Sequence, residues 1–145
     1  MAQVLILYNA KRPEAVRLAK ETAQWLQGES FHVEVADQLT ATSWQALPHP
    51  EIQLVITLGG DGTLLTGALL SAPADVPLLG VHLGRFGFIA QVEPHELRDA
   101  IERWRAGEFV VQERLMVQAR IGDTGQTVYA LNEIALVRHS LAPML

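Results

Sequence analysis

The residues best suited to chemistry lie in the middle of the chain, where Leu54 to Leu70 reads LVITLGGDGTLLTGALL. An apolar run ends in Gly59, Gly60 and Gly62 around a single carboxylate, Asp61, and a second apolar run follows Thr63. Glycines where a strand becomes a helix permit positive φ and close backbone approach, and a helix starting near Thr63 turns its free N–H groups back toward the loop. Such a corner receives phosphate. A carboxylate there repels a bare phosphate, so Asp61 points to an intervening metal ion or to proton transfer from a hydroxyl that attacks the phosphate. The competing reading is structural: Asp61 caps the helix and the glycines make the turn. On this segment alone both readings stay open. Two other phosphate loops are excluded. No lysine followed by Ser or Thr completes a Walker A loop, and Leu65 stands where a dinucleotide fingerprint places its last glycine.

The elements that must hold this loop alternate in type. VLILY, from Val4 to Tyr8, is a continuous apolar run, the pattern of a strand covered on both faces as in parallel sheets. Pro13 suits a first helical position, after which Ala15, Leu18, Ala19, Thr22, Trp25 and Leu26 recur at helical spacing up to Gly28. FHVEV (Phe31 to Val35), IQLVITL (Ile52 to Leu58) and PLLGVHL (Pro77 to Leu83) read as further strands, with a helix expected from Thr63 through Leu70. Glu93-Pro94 opens another helix that Gly107 ends. The pattern changes at Phe109: FVVQERLMVQARI and TVYALNEIALVR, joined by GDTGQ, read as a β-hairpin with a glycine-containing turn. The expected fold class is α/β, a largely parallel sheet with flanking helices, followed by the first hairpin of a β-rich domain.

At 145 residues and 49% hydrophobic, the chain suffices for one ordinary domain with a core and is short for two complete ones. Eleven basic against 16 acidic side chains, a formal charge of -5, provide no basic field for nucleic acid. Any phosphate must therefore be bound locally. The absence of cysteine excludes disulfides, thiolate zinc sites and cysteine nucleophiles, and fits a reducing compartment. MAQVLILYNAKRPEA has no charged leader before its short apolar stretch, so it reads as a buried first strand and not as a signal peptide or a membrane span. A cytoplasmic location, with neither membrane nor nucleic acid as partner, is the resulting expectation.

GGDGTLL, GVHLGRFGFIAQV, QERLMVQARI and ALNEIALVR, in this order and at these spacings, resemble the bacterial NAD kinases over nearly the whole chain, and YNAKRPEA resembles that family's opening. GGDGT alone is shared with diacylglycerol, sphingosine and phosphofructokinase-type kinases; the LGRFGF and LNE segments single out NAD kinase. The resemblance implies transfer of the terminal phosphoryl group of ATP, or of inorganic polyphosphate, to the 2′-hydroxyl of the adenosine ribose of NAD, giving NADP. It also implies a divalent metal, usually magnesium, for which no ligand in the chain is assigned.

By the same resemblance Asp61 is the general base or orienter at the reacting hydroxyl, and Gly59, Gly60, Gly62 and Thr63 form the nucleotide and phosphate corner. Asn132 and Glu133 match the pair that holds ribose hydroxyls, and Phe88 the aromatic beside the adenine. Read as residues alone, Asn132 and Glu133 equally suit the wet face of a hairpin strand, and Phe88 a core position. Arg85, in the LGRFGF turn, is a candidate phosphate contact with solvent exposure as its ordinary alternative. His82 stands where many members carry asparagine, and Arg114 resembles an arginine that braces the junction between domains. His32, His49, His95 and His139 show no metal-ligand spacing. The alternatives in function are a diacylglycerol- or sphingosine-type lipid kinase and a non-catalytic nucleotide-binding module.

Members of the family continue past the LNE strand into a β-rich C-terminal domain with an Asp-Gly pair and a Thr-Pro-Thr-Gly-Ser-Thr-Ala-Tyr segment, which supply nucleotide contacts and much of the oligomer interface. The chain accordingly reads as a fragment. Residues 1–108 are expected to form the α/β phosphate-binding domain and 109–145 the start of an incomplete β-rich domain, with a homo-oligomer expected at full length. Little activity is expected of the isolated chain, and its unpaired apolar strands favour association.

Overall fold

The structure, a computed structural model, describes residues 1–84 and 92–135. The chain separates into two compact units, Met1–Gln112 and Glu113–Leu145.

The first unit is built on four parallel strands. β1 (Gln3–Tyr8) leads into α1 (Pro13–Gly28), then β2 (His32–Asp37) and the short α2 (Gln38–Ala41); β3 (Ile52–Gly59) leads through Gly60 into α3 (Asp61–Ser71), a 3-10 turn at Ala72–Ala74, and β4 (Leu78–His82). A second 3-10 turn, Pro94–Glu96, precedes α4 (Leu97–Ala106), which ends at Gly107 with φ 74°. The order across the sheet is β2-β1-β3-β4, with Ile6 opposite both Val35 and Ile56, and Ile56 opposite Leu79.

The apolar runs explain this arrangement. Val4, Ile6, Leu54, Ile56 and Leu58 pack with Ala15, Ala19, Ala23 and Leu26 of α1 and with Leu97 and Ile101 of α4. The alternate residues Leu5, Leu7 and Val55 pack on the other face with Ala41 and Leu70. Side chains alternate across a strand, so a strand covered by helices on both faces has no polar position to offer, and VLILY is the result. Val4, Leu5, Ile6 and Leu7 are all fully buried.

Gly67 belongs to the same packing. A Cβ at this position of α3 would stand 2.6 Å from Thr57 Cγ2 and 2.9 Å from Leu78 Cδ1, so the helix lies closer to β3 and β4 than a side chain permits. Capping is equally local around α4. Glu93 and Glu96 form a reciprocal capping box around Pro94, which fixes where the chain turns helical again.

The second unit carries the antiparallel pair β5 (Val117–Ile121) and β6 (Gln126–Ala130), with Val117 opposite Ala130 and Ile121 opposite Gln126. Its turn holds Gly122 at φ 42° and Gly125 at φ 71°, left-handed positions that suit glycine. The strands are shorter than the sequence pattern suggests: Phe109 to Met116 lies outside any strand, and β6 stops before Leu131.

Candidate functional site

The four strands run in one direction, so their C-terminal ends share one edge. From β1 the chain moves outward to β2; from β3 it moves the other way to β4. β1 and β3 are neighbours whose exits diverge, and the helices that follow, α1 and α3, cover opposite faces. In open α/β sheets this divergence opens the crevice in which ligands bind. The GGDGT segment sits at one lip of it.

Within that segment β3 runs to Gly59, Gly60 is the helix N-cap in extended geometry (φ -101°, ψ -166°), and Asp61 is the first residue of α3. Two sequence expectations change accordingly. The helix starts at Asp61 instead of near Thr63, and none of the three glycines takes a positive φ. Gly59 is needed for closeness: a Cβ there would lie 2.2 Å from Thr63 Oγ1 and 3.3 Å from Asn9 Cβ. Gly60 opens outward, since a Cβ there would meet nothing within 4 Å. The capping alternative for Asp61 also changes form, because Gly60 occupies the N-cap and the carboxylate stands in the first turn, where the helix dipole favours an anion.

The carbonyls of the corner are turned toward the protein. Leu83 N–H donates to Gly59 O at 2.8 Å, Leu64 N–H to Gly60 O at 3.3 Å, and Thr66 Oγ1–H to Gly62 O at 3.1 Å. The first N–H groups of a helix have no intrahelical acceptor. With its oxygens held back and its helix N-terminus at the crevice, the corner has the polarity that an anion requires.

Neighbouring corners complete the rim with residues outside the GGDGT motif. Asn9, the first residue past β1, donates its N–H to Leu58 O at 3.1 Å, which stitches the two lips together. Gln38, the first residue past β2, accepts from Thr63 Oγ1–H at 2.5 Å through Oε1, so the buried threonine is tied to α2. Arg12, at the N-cap of α1, reaches the carbonyl of Leu83 beyond β4. Asn9 and Arg12 lie in the YNAKRPEA segment, whereas the sequence signal of Gln38 is position alone, one residue after β2. His82 ends β4 opposite Gly59, and its Nε2 lies 2.8 Å from Glu93 Oε1.

Asn132 and Glu133 belong to the second unit, follow the end of β6 and are both exposed. Arg85 and Phe88 lie outside the described residues. The structure therefore brings Gly59, Gly60, Asp61, Gly62 and Thr63 together with Asn9, Arg12 and Gln38.

Among the described residues no group of three or more His, Cys, Asp or Glu side chains can hold a metal ion. The donor set at the corner, Asp61 beside a phosphate-receptive backbone, suits a magnesium ion carried on phosphate oxygens and met by one carboxylate. Also among the described residues, no helix is long and apolar enough to cross a membrane.

The family model described as the ATP-NAD kinase N-terminal domain matches residues 4–109. An NAD kinase of Heliobacterium modesticaldum is 34% identical over 95% of this chain and 52% of its own length, and one of Citrifermentans bemidjiense is 35% identical over 98% and 54%. The chain thus spans about half the length of the curated relatives it matches. In fold it resembles the crystal structure of yeast NADH kinase complexed with NADH, at a TM-score of 0.55 and 16% identity, covering 90% of this chain and 46% of that one. The family model's match over most of the chain, with relatives above 30% identity along nearly all of it, makes this chain a member of the ATP-NAD kinase family, in the part that carries the N-terminal domain.

Proposed function

We propose that these residues are the phosphate-handling half of an NAD kinase, which transfers a phosphoryl group from ATP or polyphosphate to the adenosine-ribose 2′-hydroxyl of NAD. The observation that carries the proposal is the corner itself, a helix N-terminus with carbonyls tied back and one carboxylate at its first position, beside the crevice between β1 and β3.

The chemistry follows from what each group can do. The backbone N–H groups at the start of α3 hold the donor's phosphates and orient the terminal phosphorus. The 2′-hydroxyl oxygen attacks that phosphorus; the new O–P bond forms as the bond to the bridging oxygen of the leaving phosphate breaks. Asp61 accepts the hydroxyl proton, which keeps charge from accumulating on the attacking oxygen. Asp61 would also be the protein group that meets a divalent ion accompanying the phosphates, which when bound would neutralise charge on the transferring group. Before the transfer the same carboxylate orients the hydroxyl by accepting its hydrogen bond.

Asn132 and Glu133 are assigned to the ribose hydroxyls, Phe88 to the adenine, and Arg85 to a phosphate. The remaining nucleotide contacts belong to sequence of the kind that makes up the other half of the relatives, together with the contacts of a homo-oligomer. The division of labour proposed is 1–108 for phosphate and 109–145 for the beginning of the nucleotide-binding β domain, in a cytoplasmic enzyme.

The test is NADP formation by the protein encoded by the whole reading frame that contains these residues, given NAD, magnesium and either ATP or polyphosphate. A lipid alcohol is offered in parallel. NADP formation supports the proposal, whereas lipid phosphorylation without NADP contradicts it.

A further inference from the structure

Arg12 reaches across the C-terminal edge of the sheet. It is the N-cap of α1, with its own N–H on Asn9 O at 3.0 Å, and its side-chain Nη1 donates to the carbonyl of Leu83. Leu83 follows β4, whereas Arg12 follows β1, and β3 lies between those strands. Two strand spacings, roughly 9–10 Å, therefore separate the elements it joins.

What it holds there is a single residue, Leu83, engaged through both of its backbone groups. The Leu83 carbonyl accepts from Arg12, and the Leu83 N–H donates to Gly59 O at 2.8 Å. Gly59 O is in turn the first of the loop carbonyls drawn away from the crevice. The next residue, Gly84, has φ 124°, and a Cβ on it would lie 2.9 Å from Arg12 Nη1. The backbone at 84 thus takes a conformation reserved to glycine at the place where the arginine arrives. Leu83 itself is only 2% exposed, so its carbonyl has no full access to water as a substitute acceptor.

We propose that Arg12 is a positioning residue of the phosphoryl-transfer site: acting through Leu83, it holds Gly59 so that the N–H groups of the glycine corner face the donor's phosphates. The inference rests on the phosphate-corner reading given above and adds a residue outside the GGDGT motif. An arginine suits the task because its planar fork directs hydrogen bonds and carries its charge across the distance; lysine keeps the charge with a shorter reach and no fork.

The 145-residue chain, uniformly labelled with nitrogen-15, is titrated with inorganic tripolyphosphate while the backbone amides of Gly59, Gly60 and Gly62 are followed by NMR. Arg12→Met and Arg12→Lys are compared with it after circular dichroism has established that all three melt alike. Both variants are expected to move the free-state resonances of the three glycines and to weaken tripolyphosphate by about tenfold or more, the scale of one lost charge-assisted hydrogen bond. Wild-type affinity in Arg12→Lys overturns the inference by reducing Arg12 to a point charge, and wild-type affinity in Arg12→Met overturns it outright. In both of those outcomes the phosphate corner survives. If instead the unsubstituted chain shows no saturable change at its glycines, the phosphate-corner reading falls and the role of Arg12 with it.

Discussion

At Gly59 a methyl group would stand 2.2 Å from Thr63 Oγ1, while at Gly60, one residue on, it would meet nothing within 4 Å. Two adjacent glycines of one motif therefore answer to different demands. Gly59→Ala forces Thr63 off its bond to Gln38 and is expected to destabilise the fold by about 1–3 kcal/mol, the usual cost of overpacking. Gly60→Ala, at a φ open to any residue, is expected to stay within about 0.5 kcal/mol of the parent, yet to weaken tripolyphosphate because its methyl group occupies the approach. Urea denaturation of both variants, beside the same NMR titration, reads the two effects separately. The motif was readable as chemistry at this scale, but the reason for each glycine was not. Positive φ and close backbone approach were both expected; no positive φ occurs at the three, and the close approach at Gly59 is to Thr63 and Asn9. Asn9 and Arg12 lie in YNAKRPEA and Gln38 in no motif, and what brings all three beside the GGDGT corner is the parallel alignment of strands distant in sequence.

The elements themselves follow from patterns that leave few alternatives. β1, α1, β3 and β4 are marked by apolar segments or by helical spacing between Pro13 and Gly28, and they appear within a residue or two of the expected bounds. α2 was hidden because four residues generate no periodicity, and Asp61 was expected outside α3 because glycines read as loop until a cap is seen. GDTGQ marks the hairpin, and its strands are shorter than the segments on either side of that turn because pairing is confined to Val117–Ile121 and Gln126–Ala130 among the described residues. Two substitutions test the packing of these elements. Leu7→Ala, in the fully buried centre of the sheet, is expected to cost about 2–5 kcal/mol. Gly67→Ala pushes α3 from Thr57 and Leu78 and is expected to cost about 1–3 kcal/mol; because α3 carries Asp61, it is also expected to broaden or shift the loop amides. A Gly67→Ala protein as stable as the parent contradicts the tight helix–sheet contact.

For the whole molecule, chain length matters as much as fold. The strands of the first unit form one parallel sheet with the GGDGT corner at their C-terminal edge, while Asn132 and Glu133 belong to a separate unit. Val117, Ile121 and Tyr129 of the hairpin are each more than 40% exposed, at 43%, 48% and 54%. The 145-residue chain alone is accordingly expected to self-associate as concentration rises, measurable by sedimentation velocity, and to form little NADP because orientation of the ribose supplies much of the rate. The central claim is that Asp61 acts on a hydroxyl of NAD and not merely on the start of a helix. Its most direct test is the rate of NADP formation and the dissociation constant for NAD, measured on the protein encoded by the whole reading frame and on its Asp61→Asn variant. The account predicts NADP formation that falls about a hundredfold or more in the variant while NAD affinity changes little. Absence of NADP formation by the unsubstituted protein, or an Asp61→Asn enzyme that turns over at the parent's rate, contradicts it.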